Sequence, residues 1–171
     1  MGLAFHTLDV FTDTRFAGNP LAVVLGADSL QASAMQGIAR EFNLSETVFV
    51  TKPENPAHSA RMRIFTPVAE LPFAGHPTVG TAILLTLAKP QFASGEGDAL
   101  VLLEQGIGTV RAGVKLRPGS APYFGLTWPV LSALLPALKR WPSDDEVVPS
   151  PQFSAKGCRN CALTSSASAS E

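Results

Sequence analysis

Apolar residues recur along the first three-quarters of the chain with two different periods, and each change of period marks a new element. From Leu3 to Thr12 an extended segment rich in aromatic and β-branched residues places Leu3, Phe5, Thr7, Asp9 and Phe11 on one face. Phe16-Ala-Gly-Asn-Pro20 breaks it, and Leu21 to Leu25 follows as a continuous apolar run, the pattern of a strand covered on both faces. Asp28 or Ser29 then offers an N-cap to a helix in which Leu30, Ala34, Ile38 and Phe42 repeat every four residues, while Met35 and Ala39 widen the stripe. This pattern predicts an amphipathic helix lying on a sheet.

Thr47 to Thr51 reads as a further strand, and Met62, Ile64 and Thr66 alternate with Arg61, Arg63 and Phe65 in the next. Pro67 and Pro72 bracket an irregular connection. From Pro77 the pattern changes: Val79, Ala82, Ile83, Leu84, Leu85, Leu87 and Ala88 leave almost no polar stripe until Pro90 stops the run. A helix apolar all round forfeits about 1.5–3 kcal/mol for each large side chain left in water, so this one belongs in the interior. Leu100 to Leu103, Gly108 to Val114 and Tyr123 to Trp128 add strands. One amphipathic helix, one buried helix and seven or so strands predict an α+β fold, a mixed, curved sheet or barrel wrapped around a central helix.

Composition narrows the function. Of 171 residues, 46% are hydrophobic and 16% charged, and the net charge is −1 with neither sign concentrated, which argues against nucleic-acid and anionic-membrane binding. No apolar run approaches the roughly 20 residues of a membrane-spanning helix, and the first ten residues lack a signal-peptide pattern, so the chain reads as soluble and cytoplasmic. Cys158 and Cys161 form a single CxxC with no second pair, too little for a zinc or redox site. Gly106-Ile-Gly108 lacks the third glycine and the helix of a dinucleotide fingerprint.

Two motifs can carry chemistry. Asn43-Leu-Ser-Glu-Thr-Val-Phe49 sets Glu46 at a helix-to-strand junction beside Ser45, among apolar residues able to desolvate a carboxylate and equip it as a proton carrier; the competing reading is a solvated surface glutamate. Phe73-Ala-Gly-His-Pro-Thr-Val-Gly80 opens the buried helix. Pro77 suits its first turn, Gly75 permits close approach of a ligand, and the free N–H groups there suit an anion such as a substrate carboxylate. His76 is expected at the N-cap, as a donor or proton relay or merely as a cap. His6 and His58 have no comparable setting.

These motifs in order, Asp9-Val-Phe-Thr with Phe16 to Val23, Glu41 to Phe49, Arg63-Ile-Phe-Thr-Pro67 and Glu70 to Gly80, resemble the N-terminal half of the PhzF-like family of phenazine biosynthesis, relatives of diaminopimelate epimerase, over residues 3 to 128. The resemblance implies one lobe of a two-lobed fold, each lobe a β-barrel around a central helix, with the active site in the cleft between them. It implies an isomerase without metal or organic cofactor, in which a glutamate moves a proton on a small cyclic or amino-acid-derived carboxylate. Glu46 matches that glutamate as the catalytic residue, and Ser45, Gly75 and His76 match the substrate-binding positions. Racemase relatives carry a cysteine base at the helix turn; His76-Pro77-Thr78 stands here.

Residues 1–129 are expected to be that lobe. Residues 130–171, rich in Ser, Pro and Ala, are expected to be an irregular or flexible tail in place of the second lobe, as in a truncated or frame-altered end. A lone lobe is expected to turn over little and to self-associate, as a homodimer or otherwise, through its uncovered cleft face. The alternative is a catalytically idle lobe that binds a ligand or a protein.

Overall fold

The computed structural model of the chain describes residues 2–12, 14–118 and 122–127. In chain order they form β1 (Phe5–Val10), β2 (Asn19–Val24), α1 (Ala32–Phe42), β3 (Glu46–Thr51), β4 (Ala60–Phe65), β5 (Glu70–Leu71), α2 (Gly75–Leu87), β6 (Gly97–Gln105), β7 (Gly108–Leu116) and β8 (Tyr123–Thr127). The sheet order is β1-β2-β3-β4-β6-β7-β8, with β5 paired to β4. Two neighbours are parallel, β2 with β3 and β4 with β6; the other pairings are antiparallel. The mixed sheet curls into a half-barrel, the α+β architecture expected from the sequence.

Its concave side holds α2, which packs against β1, β2, β3, β6 and β7. Leu8, Val10, Leu21, Val23, Val48, Val50, Met62 and Ile64 meet Val79, Ile83 and Leu84 of α2 in one core, closed from the other side by Val101, Leu103, Ala112 and Val114. His76 through Leu84 and Thr86 are all buried, as an apolar-all-round helix requires. The convex side carries a smaller core in which Met35 and Ala39 of α1 meet Val24, Phe49 and Phe65. Leu21 through Val24 are buried on both faces, because β2 lies between the two helices.

Local readings change in three places. On β1 the central core takes Leu8 and Val10, while Phe5 and Leu3 turn to the opposite face and join α1, where Phe5 meets Phe42 at 5.0 Å between ring centroids. The first helix begins at Ala32 with Gln31 as N-cap; Asp28 instead accepts the Lys52 N–H at 2.8 Å, tying a 3-10 turn at Ala27–Ser29 to the end of β3. Leu30 therefore precedes the helix, and its buried stripe centres on Met35 and Ala39 while Ala34 is exposed. Among the described residues the sheet has eight strands, the addition being β5, whose two residues are too few to show a period. Residues 130–171, with Ser132 to Trp141 and the Cys158/Cys161 pair, lie outside the described residues.

Candidate active site

β2 and β3 run parallel in the register Leu21 to Glu46, so the first residue of β3 stands beside the third residue of β2 at one end of the sheet. Alternation along β3 sends Val48 and Val50 toward α2 and Phe49 toward α1. Glu46 shares the parity of Val48, and its carboxylate reaches the first turn of α2. There Glu46 Oε2 lies 3.3 Å from His76 Nε2, with the side chains 18% and 8% exposed. This Glu46 is no solvated surface glutamate.

The helix begins two residues earlier than the sequence suggests. Ala74 is the N-cap, so Gly75 and His76 are its first two residues, and His76 is held inside the first turn and does not cap it. Gly75 is exposed, and a Cβ there would meet nothing within 4 Å, which leaves that side of the turn open. A first-turn N–H has no carbonyl of its own helix to pair with, and the helix dipole adds positive potential at the same place. This end of α2 can receive an anion.

Burial is the main influence on His76 and pushes its imidazole below the ordinary histidine range, against the opposing pull of the Glu46 carboxylate and of a hydrogen bond with the Pro20 carbonyl. The ring is therefore neutral at pH 7, a hydrogen-bond donor at one nitrogen and an acceptor at the other. Although the two atoms lie within ion-pair distance, their alignment makes no hydrogen bond, so Glu46 Oε2 and His76 Nε2 are both buried without a satisfied partner. Each such group left unpaired costs on the order of 1–3 kcal/mol, so the pair offers hydrogen-bonding capacity to a ligand or a water at this end of the sheet.

Ser45 is brought to the same end of the sheet. Its Oγ lies 3.0 Å from Asn19 Oδ1 and 3.2 Å from the Pro20 carbonyl, two acceptors for its single proton, of which Asn19 is the nearer. Sequence reasoning treated Asn19 and Pro20 as a strand break and missed that they wall the site. The signal was there in Gly18, where a Cβ would come within 2.7 Å of the Val10 carbonyl oxygen: the chain must turn tightly to bring Asn19 to its place. Thr78 and Gln105, linked by a hydrogen bond at 3.1 Å, were also missed. Among the described residues no group of three or more His, Cys, Asp or Glu side chains could hold a metal ion, and no helix is long and apolar enough to cross a membrane.

A family model described as phenazine biosynthesis-like protein, PhzC-PhzF, matches residues 8–127. The chain belongs to this PhzF family. Among its relatives, a Mesorhizobium japonicum protein named as an uncharacterized isomerase is 58% identical over 113 residues, 66% of this chain and 36% of that protein. The trans-2,3-dihydro-3-hydroxyanthranilate isomerase of Pseudomonas chlororaphis is 40% identical over 147 residues, 83% of this chain and 50% of that enzyme. The crystal structure of a Bacillus anthracis phenazine biosynthesis protein of the PhzF family superposes with a TM-score of 0.61 at 31% identity, covering 74% of this chain and 40% of that one. The fold is thus that of the PhzF and diaminopimelate epimerase-like proteins. The chain spans half or less of the length of these three relatives.

Proposed function

We propose that this PhzF-family chain is one lobe of an isomerase that moves a proton between two carbons of a small cyclic or amino-acid-derived carboxylate, with Glu46 as acid and base. The observation that supports it is the buried, unsatisfied pair of Glu46 Oε2 and His76 Nε2 at the open N-terminal turn of α2. In this reading the first turn of α2, from Gly75, receives the substrate carboxylate, and Ser45 and His76 orient the ring. Glu46 takes a proton from carbon, the electron pair delocalises toward the bound carboxyl, and Glu46 returns the proton to a second carbon. The double bond moves and nothing is oxidised or reduced. The substrate of the Pseudomonas chlororaphis relative is, by its name, a cyclic amino carboxylate and is the first compound to try.

In this reading the wall opposite Glu46 belongs to a second lobe, which lies outside the described residues. Proton transfer needs a substrate held within about 3 Å and shielded from water, and a single lobe gives one wall. Phe16, 91% exposed in the loop between β1 and β2, stands at this end of the sheet and fits such a partner surface.

The test is exchange of substrate carbon-bound hydrogen with D2O, followed on a two-lobed assembly. Glu46→Gln should abolish exchange at unchanged stability, since it removes the proton carrier at nearly constant volume. Full exchange in that variant overturns the assignment. The isolated monomer should show little turnover; a strictly monomeric sample working at an ordinary rate, on the order of 1–10³ per second, would make the second lobe dispensable. Binding of the carboxylate with no exchange in any assembly would favour the idle, ligand-binding lobe.

A further inference from the structure

The turn between β6 and β7 lies against the segment that delivers His76. Two independent contacts place it there. A Cβ on Gly106 would come within 2.8 Å of Pro72 Cα and 3.1 Å of the Pro72 carbonyl oxygen, so the turn touches the backbone just ahead of α2. From the neighbouring residue, Gln105 Nε2 donates to Thr78 Oγ1 at 3.1 Å. Thr78 Oγ1 in turn reaches the carbonyl of Ala74 at 2.7 Å, against 3.4 Å to Gln105 Oε1. A hydroxyl has one proton to give, and the shorter contact takes it. A relay of two hydrogen bonds therefore runs from the end of β6 to the N-cap of α2, and it brackets Gly75, His76 and Pro77.

This turn needs outside support. No side chain caps α2, Pro77 supplies no N–H, and the backbone bond from Thr78 N to Ala74 O is long at 3.3 Å. Thr78 is fully buried, so its hydroxyl has only the partners described.

We propose that Gln105 is a positioning residue, which through Thr78 and Ala74 fixes where the first turn of α2 holds His76 against Glu46. Its functional meaning rests on the proton-transfer reading above, but its test does not. The imidazoles of His6, His58 and His76 are titrated by NMR in the full 171-residue chain. In the native protein His76 faces the Glu46 carboxylate and the Pro20 carbonyl, and burial dominates its titration. Gln105→Met keeps the length and removes the donor. Once the first turn loosens, water reaches the ring, and the His76 midpoint should rise by about half a pH unit or more toward the ordinary histidine value. His6, on the edge strand β1, should not move. Thr78→Ser keeps the hydroxyl and should titrate like the native chain. Thr78→Val keeps the shape and breaks the relay, so it should reproduce the Gln105→Met rise, and combining the two should add nothing further.

An unmoved His76 midpoint in folded Gln105→Met overturns the proposal, as does a shift of His6 equal to that of His76, which would signal general loosening. If Gln105→Met fails to fold, Thr78→Val decides by the same criterion. Loss of the relay effect with Glu46→Gln still abolishing exchange would sink this inference alone; the reverse pattern would sink only the proton-transfer reading.

Discussion

Among the described residues, Gly37 and Gly80 lie in helix interiors, and the structure assigns their replacement by alanine opposite signs. In α1, a Cβ on Gly37 would meet nothing within 4 Å. Gly37→Ala should gain the helix-propensity difference, about 0.5–1 kcal/mol. In α2, a Cβ on Gly80 would lie 2.7 Å from Leu21 Cδ2, 3.0 Å from Val10 Cγ2 and 3.4 Å from Leu8 Cδ1. Carbon atoms prefer about 3.5–4.0 Å, so the nearest contact is short by nearly an ångström. In an open setting the Leu21 methyl would swing aside. Here Leu21 is fully buried between two helices, and Val10 and Leu8 close the other directions. Overpacking of this kind costs about 1–3 kcal/mol, toward the upper end where three walls resist, and it outweighs the propensity gain of about 1 kcal/mol. The net expectation for Gly80→Ala is a loss of about 1–2 kcal/mol. With a urea slope of about 2 kcal/mol per molar, the midpoint should fall by about 0.5–1 M, while that of Gly37→Ala rises by about 0.25–0.5 M. A Gly80→Ala protein as stable as Gly37→Ala, or more so, would refute the close seating of α2 on β1 and β2.

Burial holds the folded His76 imidazole below its ordinary value, so on acidification the unfolded chain takes up this proton first. Stability should be full above the ordinary histidine range and fall as pH drops from about 6.5 to the folded value; His76→Gln should flatten that decline in urea midpoints measured between about pH 7.5 and 5, and equal slopes would count against the buried neutral ring. Glu104 on β6 accepts the N–H groups of Glu54 at 2.7 Å and Asn55 at 2.8 Å, and its carboxylate lies 2.8 Å from His58 Nδ1. Burial works against its ionisation, but these donors together hold its carboxyl below the usual carboxylate range. That contribution is present above the unfolded carboxylate pKa and lost as pH falls through the folded one. Glu104→Gln should therefore cost about 1–3 kcal/mol at neutral pH and progressively less as pH falls through the folded carboxylate value, and a neutral-pH loss below about 0.5 kcal/mol would show the clamp to be idle.

What could be seen in the sequence was whatever depends on neighbours along the chain. The buried helix was legible because Val79 to Leu87 offers no polar stripe, and the long strands because their alternation or continuous apolarity spans several residues. Glu46 and His76 stood out within motifs. Their approach to 3.3 Å depends on the β2–β3 register and on α2 entering the half-barrel at this end, neither of which is encoded locally. The same holds for Gln105 and Thr78, 27 positions apart, and for Ser45 and Asn19, 26 apart. Asp28 misled because an acidic residue ahead of an apolar stripe resembles an N-cap. Its carboxylate found the Lys52 N–H instead, a partner 24 residues away. On β1 both faces carry large apolar residues, so alternation alone could not say which of them meets the inner core.

The sheet is joined most thinly near its middle. β4 and β6 share two residue pairs, Ala60 with Leu103 and Arg61 with Glu104, extended by the two hydrogen bonds between Ser59 and Leu102. On one side β6, β7 and β8 form a meander whose pairings link strands adjacent in the chain. On the other side lie β1 to β4, and α2, between the two in sequence, touches both. Local pairings close quickly and long-range ones slowly, so the meander is expected to assemble early and α2 to dock as the halves meet. Glu46 belongs to the first half and Gln105 to the second. The geometry of the Glu46–His76 pair is then among the last features to form on folding, and on gentle destabilisation it is lost when the seam opens, while each half still keeps its own slow-exchanging amides.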